Sequence, residues 1–406
     1  MTKPTLFGYG LTTKAIASSM GGGCTFFDDK TKETYIDEFG NTIKPSSLFD
    51  ATLSDMEVTT PSLKPTHPLI LSAKNLLSEY DYFLNPAKDK KLPYNIWISG
   101  TNGKTTTTQM VEHLLKKRGA VSGGNIGTPL ANLDINAPIW ILETSSFTLH
   151  HTKVASPNIY LLLPITPDHL DWHGDAQSYE ADKLRPLLTM KEGELALIPK
   201  GLNLPQTSAF VVEYETSEDI ASYFDIDTSK IRFKGAFLQD ALIAMITTKV
   251  LFDKLDYELM NSFVVDAHRQ EEKTDHLGRL WVNDSKATNV DATLQALKVY
   301  NDRFIRLIIG GDDKGVDLDD LFAYISTQNI KLYSIGVNKP TVEALSKKYA
   351  IELEPCKTLD IAVEKISKEM NQDDVALLSP AAASLDQFTS YKHRGEVFFK
   401  SIDNLR

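Results

Sequence analysis

The chain has 406 residues, and its 54 acidic against 43 basic side chains give a net charge of −11 at pH 7, which argues against sequence-independent binding to nucleic acid or to an anionic membrane. This length is enough for two or three domains with full cores, and we expect three. The two cysteines, Cys24 and Cys356, are too few and too far apart for a disulfide framework or a cysteine metal site, which suits a reducing cytosol.

Short apolar runs alternate with amphipathic segments along the whole chain, and this alternation is typical of mostly parallel sheets covered by helices. The pattern divides into three α/β units, residues 1–90, 91–265 and 266–406. No apolar run approaches the roughly 20 residues that cross a bilayer, and the N-terminal residues lack the pattern of a signal peptide. We therefore expect a cytoplasmic protein without membrane insertion.

In the first unit, a strand that begins at Thr5 leads into Gly8-Tyr9-Gly10, and a second strand ends at Asp28. This is half of a dinucleotide-binding fingerprint, because the third glycine is missing. An ordinary strand-to-helix turn explains the pattern about as well as a ligand site does. If the turn binds a ligand, a uridine nucleotide fits better than NAD, with Leu11 and Thr12 facing the diphosphate and Asp28 meeting the base or ribose.

The second unit opens with an apolar strand, Ile96 to Ile98, that runs into a Gly-Lys-Thr turn and then a helix. Backbone N–H groups of such a turn bind phosphate, the lysine adds a charge, and the next hydroxyl binds Mg²⁺. We call this segment the phosphate loop; it consists of Gly100, Thr101, Asn102, Gly103, Lys104, Thr105 and Thr106. The loop is a variant, since the general pattern has a glycine where this chain has Ile98.

Three further side chains of this unit are candidates for metal chemistry. Glu143 follows the apolar run Ile139 to Leu142 and is an Mg²⁺ ligand, a helix N-cap or a solvated acid. His169 follows the run that ends at Pro164 and is either a second ligand or a structural histidine. Lys183 lies among polar neighbours, and the pattern alone indicates a solvated helix face.

The third unit has polar clusters after apolar strands at residues 283–289, 310–314 and 379–388. Each cluster by itself is equally well explained as a helix cap. Ligands of parallel sheets bind at the carboxyl ends of strands, so the clusters together predict a site for one small dicarboxylate. Its candidate side chains are Thr288, Lys286, Lys314 and Ser384.

The order of these motifs resembles the Mur ligases, the amino-acid-adding enzymes of peptidoglycan synthesis. The resemblance covers essentially the whole chain, and its last two motifs are similar to those of the D-glutamate-adding members. The motifs are the phosphate loop, Gly123-Gly124-Asn125-Ile126-Gly127, Glu143-Thr144-Ser145-Ser146-Phe147, Asp168-His169-Leu170-Asp171, Asn283-Asp284-Ser285-Lys286-Ala287-Thr288-Asn289 and Ser384-Leu385-Asp386-Gln387-Phe388.

The resemblance implies a fold and an activity. The fold would consist of an N-terminal Rossmann-like domain that binds a UDP-sugar, a central ATPase-like phosphate-loop domain, and a C-terminal Rossmann-like domain that binds the amino acid. The activity would be ATP-dependent ligation of D-glutamate to UDP-N-acetylmuramoyl-L-alanine through an acyl phosphate, with two Mg²⁺ ions. We expect small molecules as the partners, and a monomer.

The resemblance also implies roles for individual residues. Lys104, His169 and Lys183 would be catalytic, and Thr105, Glu143, His169 and a CO₂-derived carbamate on Lys183 would bind the metal ions. The phosphate loop with Arg269 and Asp284 would contact ATP. The UDP-sugar would contact Leu11, Thr12, Asp28 and Asn125, and D-glutamate would contact Thr288, Lys314, Ser384 and Tyr391.

Two segments depart from the family pattern. The asparagine-rich helix start of the second domain reads Gly235 to Leu242 here, with Asp240 at the expected adenine position, and a Ser-Pro-Gly turn reads Thr60-Pro61-Ser62. A folate polyglutamylating ligase and a Mur ligase for another amino acid are alternatives that share the phosphate loop. A nucleotide-dependent switch protein is an alternative from another class, and it would need no dicarboxylate pocket.

Overall fold

The computed structural model describes residues 3–86, 91–313 and 315–405. These residues form three six-stranded sheets, each mostly parallel and accompanied by helices, which confirms the α/β prediction. The chain groups into two compact units: residues up to Phe233 together with Phe237–Phe263, and Lys234–Ala236 together with the residues from Val264 onward. The first unit contains two sheets and the second contains one. The domain boundaries near residues 90 and 265 stay predictions.

The first sheet has the order β3-β4-β2-β1-β5-β6, and its neighbours are parallel except for the β3–β4 pair. Its strands are β1 (Thr5–Phe7), β2 (Thr25–Asp28), β3 (Tyr35–Ile36), β4 (Thr42–Pro45), β5 (Glu57–Thr59) and β6 (Leu76–Leu77). The central pair is covered on both faces, because β1 and β2 carry the buried Leu6, Phe7 and Phe26.

The second sheet is parallel throughout, with the order β12-β11-β10-β7-β9-β8. Its strands are β7 (Tyr94–Ser99), β8 (Ala120–Gly124), β9 (Ile139–Glu143), β10 (Ile159–Leu162), β11 (Leu195–Pro199) and β12 (Phe210–Tyr214). Strand β7 lies between β9 and β10, so the segments that follow these three strands emerge at one edge of the sheet. Those segments carry the phosphate loop, Glu143 and His169.

The third sheet has the order β13-β14-β18-β15-β16-β17, and only the edge pair β13–β14 is antiparallel. Its strands are β13 (Glu271–Thr274), β14 (Leu280–Asn283), β15 (Ile305–Ile309), β16 (Ile330–Ser334), β17 (Leu353–Pro355) and β18 (Val375–Leu378). Because β14, β18 and β15 are adjacent, the three polar clusters that follow them lie at one edge.

The α-helices connect these strands. They are α1 (Leu11–Ser19), α2 (Pro68–Ser72), α3 (Glu79–Leu84), α4 (Lys104–Leu115), α5 (Ser146–His151), α6 (Leu170–His173), α7 (Ala176–Leu184), α8 (Ser217–Phe224), α9 (Gly235–Phe252), α10 (Tyr257–Ser262), α11 (Val290–Val299), α12 (Asp319–Ile325), α13 (Lys339–Lys348), α14 (Leu359–Glu369) and α15 (Tyr391–Asp403). Among the described helices, α9 alone is long and apolar enough to cross a membrane by length and composition, and half of it is buried inside the protein.

The carboxylate of Asp81 fastens α3 to the loop after α5. It is fully buried and accepts hydrogen bonds from the backbone N–H groups of Lys153 (2.8 Å), Val154 (2.9 Å) and Ala155 (2.8 Å). An asparagine of the same size would turn its own N–H donors toward one of these groups. We expect Asp81→Asn to lower the free energy of unfolding by about 2 kcal/mol in chemical denaturation. Asp134→Asn is the matched control, since Asp134 accepts one bond at the surface, and an equal loss in both variants would contradict a stabilising role for the three buried bonds.

Candidate functional site

The phosphate loop turns tightly because glycine occupies two of its positions. Gly100 has a φ of 144° and Gly103 a φ of 82°, in the region that other residues rarely adopt. A Cβ atom at Gly100 would lie 2.6 Å from Cβ of Leu163, and one at Gly103 would lie 2.7 Å from Oδ1 of Asp240. The loop therefore keeps its shape without the glycine that the general pattern has at Ile98, which is a buried strand residue.

The side chain of Lys104 lies over the phosphate loop. Its Nζ donates to the carbonyl oxygens of Gly100 (2.9 Å) and Thr101 (2.7 Å). The hydroxyl of Thr101 donates to the carbonyl of Thr166 (2.9 Å), which ties the loop to the segment after β10. A phosphate bound by the loop would meet the lysine charge at this point.

Asp240 of α9 lies beside the phosphate loop. Its side chain is buried, and its Oδ1 accepts a hydrogen bond from the hydroxyl of Thr107 (3.0 Å) in α4. This bond joins α9 to the helix that follows the loop. The expected adenine contact of Asp240 stays a prediction.

Lys183 is buried, with 1% of its surface exposed, so the expectation of a solvated helix face is wrong. Its Nζ donates to the carbonyl oxygen of Gly100 (2.8 Å) and lies 3.3 Å from Oγ of Ser99. Burial, together with the charge of Lys104, lowers the pKa of Lys183 well below the ordinary lysine value. A neutral amine is the form that reacts as a nucleophile, so this environment favours covalent modification by an electrophile such as CO₂.

Glu143, the last residue of β9, presents an oxygen that fits a cation. The residue is 2% exposed, and its Oε1 accepts a hydrogen bond from Nδ2 of Asn125 (2.6 Å). Its Oε2 is buried and has no hydrogen-bond partner among the described residues. A buried carboxylate oxygen without a donor is unfavourable unless a cation or water binds it, and Mg²⁺ prefers such hard oxygen ligands.

His169 is placed by a left-handed backbone (φ 53°) immediately before α6. Half of its side chain is exposed, and its ring centroid lies 4.8 Å from that of Phe147. Its Nε2 lies 3.5 Å from Oδ2 of Asp168. The described part of the chain contains no group of three histidine, cysteine or acidic side chains arranged to hold a metal ion.

A cavity of about 170 Å³ lies in the compact unit that contains the first two sheets. It is lined by three of the four residues predicted to contact a UDP-sugar. These are Leu11 and Thr12 at the start of α1, and Asn125 after β8. Asp28, the fourth, is not among the lining residues. Its carboxylate, at the end of β2, accepts from the backbone N–H of Tyr9 (2.9 Å) and so fastens the turn after β1.

The same cavity is lined by Glu79, which the sequence pattern did not reveal. Its Oε1 accepts from the backbone N–H of Leu130 (2.7 Å), so it fixes the loop that carries Asn125. Burial raises the pKa of Glu79 to about 7, although the bonds from Leu130 and Ala131 oppose the shift. Glu79 follows the N-cap Ser78, so the sequence marks it as an ordinary first-turn acid.

In the compact unit that runs from Val264 onward, Asp284 lies in a buried polar cluster after β14. Its Oδ1 accepts from the backbone N–H of Gln270 (3.2 Å), and its Oδ2 accepts from Oγ of Ser379 (2.9 Å). Burial raises the pKa of Asp284 to about 7, against the effects of these bonds and of Arg269. Arg269 and Asp284, the predicted nucleotide contacts of this unit, are therefore brought close enough to interact.

Three of the residues predicted to bind D-glutamate come from the three polar clusters, one from each, and Tyr391 lies outside them. Thr288 is exposed after β14, Ser384 is buried after β18, and Tyr391 begins α15. Lys286 lies against Tyr391, with Nζ 3.2 Å from the phenol oxygen and 4.2 Å from the ring centre. The fourth predicted residue, Lys314, lies outside the described residues.

The described part of the polar cluster after β15, residues 310–313, reaches the same edge. Asp312 and Ala383 exchange backbone hydrogen bonds of 3.0 and 2.8 Å in an isolated antiparallel bridge. The bridge joins the segment after β15 to the segment that carries Ser384. The segments after β15 and β18 are therefore paired at this edge, and the site itself stays a prediction.

Comparison with known proteins identifies the family. The Mur ligase middle domain matches residues 98–230. The UDP-N-acetylmuramoylalanine–D-glutamate ligase of Campylobacter jejuni is 50% identical over 406 residues, covering 99% of this chain and 100% of that protein. The enzyme of the same name from Helicobacter pylori is 43% identical and covers 98% of both chains. The chain belongs to the Mur ligase family.

Solved Mur ligases share its fold. The UDP-N-acetylmuramate-alanine ligase MurC of Thermotoga maritima superposes with a TM-score of 0.55 at 17% identity, covering 98% of this chain and 99% of that one. MurF of the same organism, in complex with ADP, gives a TM-score of 0.58 at 14% identity over 86% and 88% of the two chains. This Mur ligase is therefore an ATP-dependent enzyme of peptidoglycan precursor synthesis, and the switch-protein alternative is excluded.

The raised pKa of Glu79 predicts a pH-dependent stability. In the unfolded chain this carboxyl ionises near pH 4.5, whereas in the folded protein it ionises near pH 7, so the folded state binds the extra proton between these values. The contribution of Glu79 to stability therefore falls as the pH rises through that window. We compare the free energies of unfolding of Glu79→Gln and of the unmodified protein in urea at each pH. From pH 5 to pH 8, we expect the difference to change by on the order of 2 kcal/mol in favour of Glu79→Gln. A stability difference that does not change with pH would contradict this prediction.

Proposed function

We propose that this enzyme joins D-glutamate to UDP-N-acetylmuramoyl-L-alanine, with ATP as the energy source and an acyl phosphate as the intermediate. The observation that carries the proposal is the position of Asn125. This side chain lines the cavity predicted for the UDP-sugar and also donates to Glu143, whose strand is adjacent to the strand that leads into the phosphate loop. One amide thus connects the substrate cavity with the nucleotide site. The names of the full-length relatives from Campylobacter and Helicobacter support the same substrates.

In this proposal the phosphate loop binds the ATP phosphates, and Arg269 and Asp284 contact the nucleotide from the C-terminal domain. Thr105 and Glu143 would hold one Mg²⁺ ion, and His169 with a carbamate on Lys183 would hold a second. The unpaired Oε2 of Glu143 and the buried amine of Lys183 support these assignments. Bound Mg²⁺ would neutralise the charge of the crowded phosphate and carboxylate oxygens.

We further propose that residues 1–90 bind the UDP-sugar through Leu11, Thr12 and Asp28, together with Asn125. Residues 91–265 would bind ATP, and residues 266–406 would bind D-glutamate through Thr288, Lys314, Ser384 and Tyr391. The enzyme would act in the cytoplasm as a monomer, and its partners would be small molecules.

The reaction follows from the charges of the reactants. A carboxylate does not accept an amine directly, so an oxygen of the substrate carboxylate attacks the γ-phosphorus of ATP and releases ADP. The amine of D-glutamate then attacks the acyl carbon, and the tetrahedral intermediate expels inorganic phosphate. The chain contributes by holding the reactants together and by placing Lys104 and backbone N–H groups against the phosphate oxygens.

The first test removes the charge at the phosphate loop. We expect Lys104→Ala to abolish ligation and phosphate release while the circular dichroism spectrum stays unchanged, because this half-buried side chain is no part of the core. Lys117→Ala, an exposed lysine beyond the end of α4, is the matched control and should keep full activity. Turnover of the folded Lys104→Ala protein near the unmodified rate would exclude the phosphate-loop assignment.

The second test concerns the amino acid. A glutamate side chain has a carboxylate that Lys314 can pair, whereas a neutral amino acid would leave that charge unpaired. We expect Lys314→Ala to raise the KM for D-glutamate about 30-fold or more, as for loss of a charged hydrogen bond, and to leave the KM for ATP nearly unchanged. Phosphate release should require both the UDP-sugar and D-glutamate, and L-glutamate should be a poor substrate. Equal use of both enantiomers would exclude the proposed pocket.

A further inference from the structure

A buried carboxylate, Asp182, connects several helices of the nucleotide-binding region. Asp182 precedes Lys183 on α7 and is 5% exposed. Its Oδ2 accepts hydrogen bonds from Nδ1 of His150 (2.8 Å) and from Nδ1 of His173 (2.9 Å). Its Oδ1 accepts a third bond, from Nε of Arg185 (3.0 Å). One acid therefore links α5, α6 and α7.

The imidazole of His173 extends this link. Its side chain is fully buried, and Nδ1 carries the proton because it faces a carboxylate. Nε2 is then free to accept a hydrogen bond from the hydroxyl of Ser146 (3.0 Å) at the start of α5. The ring also stacks on Phe147, with an interplanar angle of 11° and centroids 5.5 Å apart. Hydrogen bonds and packing thus fix one orientation of the ring. We refer to Ser146, His150, His173, Asp182 and Arg185 as the Asp182 network.

The network touches three of the four chain segments that carry a proposed metal ligand, those of Glu143, His169 and Lys183. Ser146 lies three residues after Glu143, and His173 lies four residues after His169. Asp182 immediately precedes Lys183. Successive residues of a helix project in different directions, so the carboxylate of Asp182 faces α5 and α6 while the Lys183 amine reaches the phosphate loop. The side chains of the network therefore add direct bonds between the segments of Glu143, His169 and Lys183.

We propose that Asp182 is a positioning residue of this ligase, which holds Lys183 in register with the segments of Glu143 and His169. The proposal rests on the proposed function in taking these three residues as the metal-binding set. An ionised carboxylate is required because it accepts all three bonds with two oxygens. An asparagine has one acceptor oxygen, and its NH₂ group would face a donor. Mutation of a group that orients a metal ligand typically costs about 10- to 100-fold in metal affinity or activity.

The test compares Asp182→Asn with Asp175→Asn, which lies on the same helix. Asp175 is the exposed N-cap of α7 and accepts from the N–H of Ser178, a role that asparagine fills equally well. Each variant is assayed for thermal unfolding, for kcat and KM, for the Mg²⁺ concentration that gives half the maximal rate, and for carbamate by ¹³C NMR in ¹³C-bicarbonate. Lys183→Arg identifies the carbamate signal.

We expect folded Asp182→Asn to lose about tenfold or more in kcat, to need more Mg²⁺, and to show a weaker carbamate signal, with the KM for ATP nearly unchanged. Asp175→Asn should match the unmodified enzyme in every measurement. A folded Asp182→Asn protein with normal kcat, Mg²⁺ requirement and carbamate would overturn the proposal, even if it melted at a lower temperature.

Two further outcomes are decisive. If Asp182→Asn does not fold, His173→Phe replaces it, because phenylalanine keeps a buried ring but removes the bonds to both Asp182 and Ser146, and with them the link from Asp182 to α6; a normal kcat and Mg²⁺ requirement in that folded variant would overturn the proposal. If the active, unmodified enzyme shows no carbamate, the carbamate in the proposed function is wrong. In that case kcat and the Mg²⁺ requirement still decide the role of Asp182.

Discussion

The buried amine of Lys183, held against the carbonyl oxygen of Gly100, constrains the rest of the site. A charged ammonium is costly in a buried position unless an anion accompanies it, and Lys104 adds a second positive charge nearby. The lower-cost states are a neutral amine or an amine converted to an anion. The neutral amine requires the phosphate loop and α7 to keep fixed positions, because a displaced Gly100 carbonyl would take away its shorter hydrogen bond. The glycines of the loop and the Asp182 network serve that requirement.

The other functional groups of the site lie at the ends of adjacent parallel strands. Strands β10, β7 and β9 are neighbours, so one edge of the second sheet gathers the phosphate loop, the acid Glu143 and the segment of His169. Asn125, from the strand beyond β9, connects this edge with the cavity lined by Leu11 and Thr12. In the other unit the same principle gathers the segments after β14, β18 and β15. The fold thus builds two polar edges from the ends of apolar strands.

The sequence predicted the elements that bury long apolar runs. The predicted strand Ile96 to Ile98 forms the centre of β7, and the apolar run Ile139 to Leu142 forms β9 together with Glu143, because continuous apolar residues mark buried strands clearly. The strands β3 and β6 have only two residues each, which is too short for a recognisable apolar run. They are defined by their pairing with β4 and β5. The motif residues of the phosphate loop were predictable because a turn that binds phosphate limits which residues it can contain.

The side chains that the sequence pattern did not reveal are those whose role depends on distant partners. Lys183 has polar neighbours on its helix, and its burial arises only when α7 packs beside the phosphate loop. Asp182 meets His150 from 32 residues away, and no local pattern reports that contact. Glu79 looks like a first-turn acid, but it bonds to a backbone N–H 51 residues later. Burial and pKa at such positions follow from tertiary packing, which a single sequence does not encode locally.

Isotope transfer from substrate to phosphate tests the central claim most directly. UDP-N-acetylmuramoyl-L-alanine labelled with ¹⁸O in its carboxylate would be ligated to D-glutamate with unlabelled ATP, and the released phosphate would be analysed by mass spectrometry. If the carboxylate attacks the γ-phosphorus, each phosphate carries one ¹⁸O atom from the substrate. Phosphate without the label, formed alongside the ligated product, would contradict the acyl-phosphate route and the role assigned to the phosphate loop.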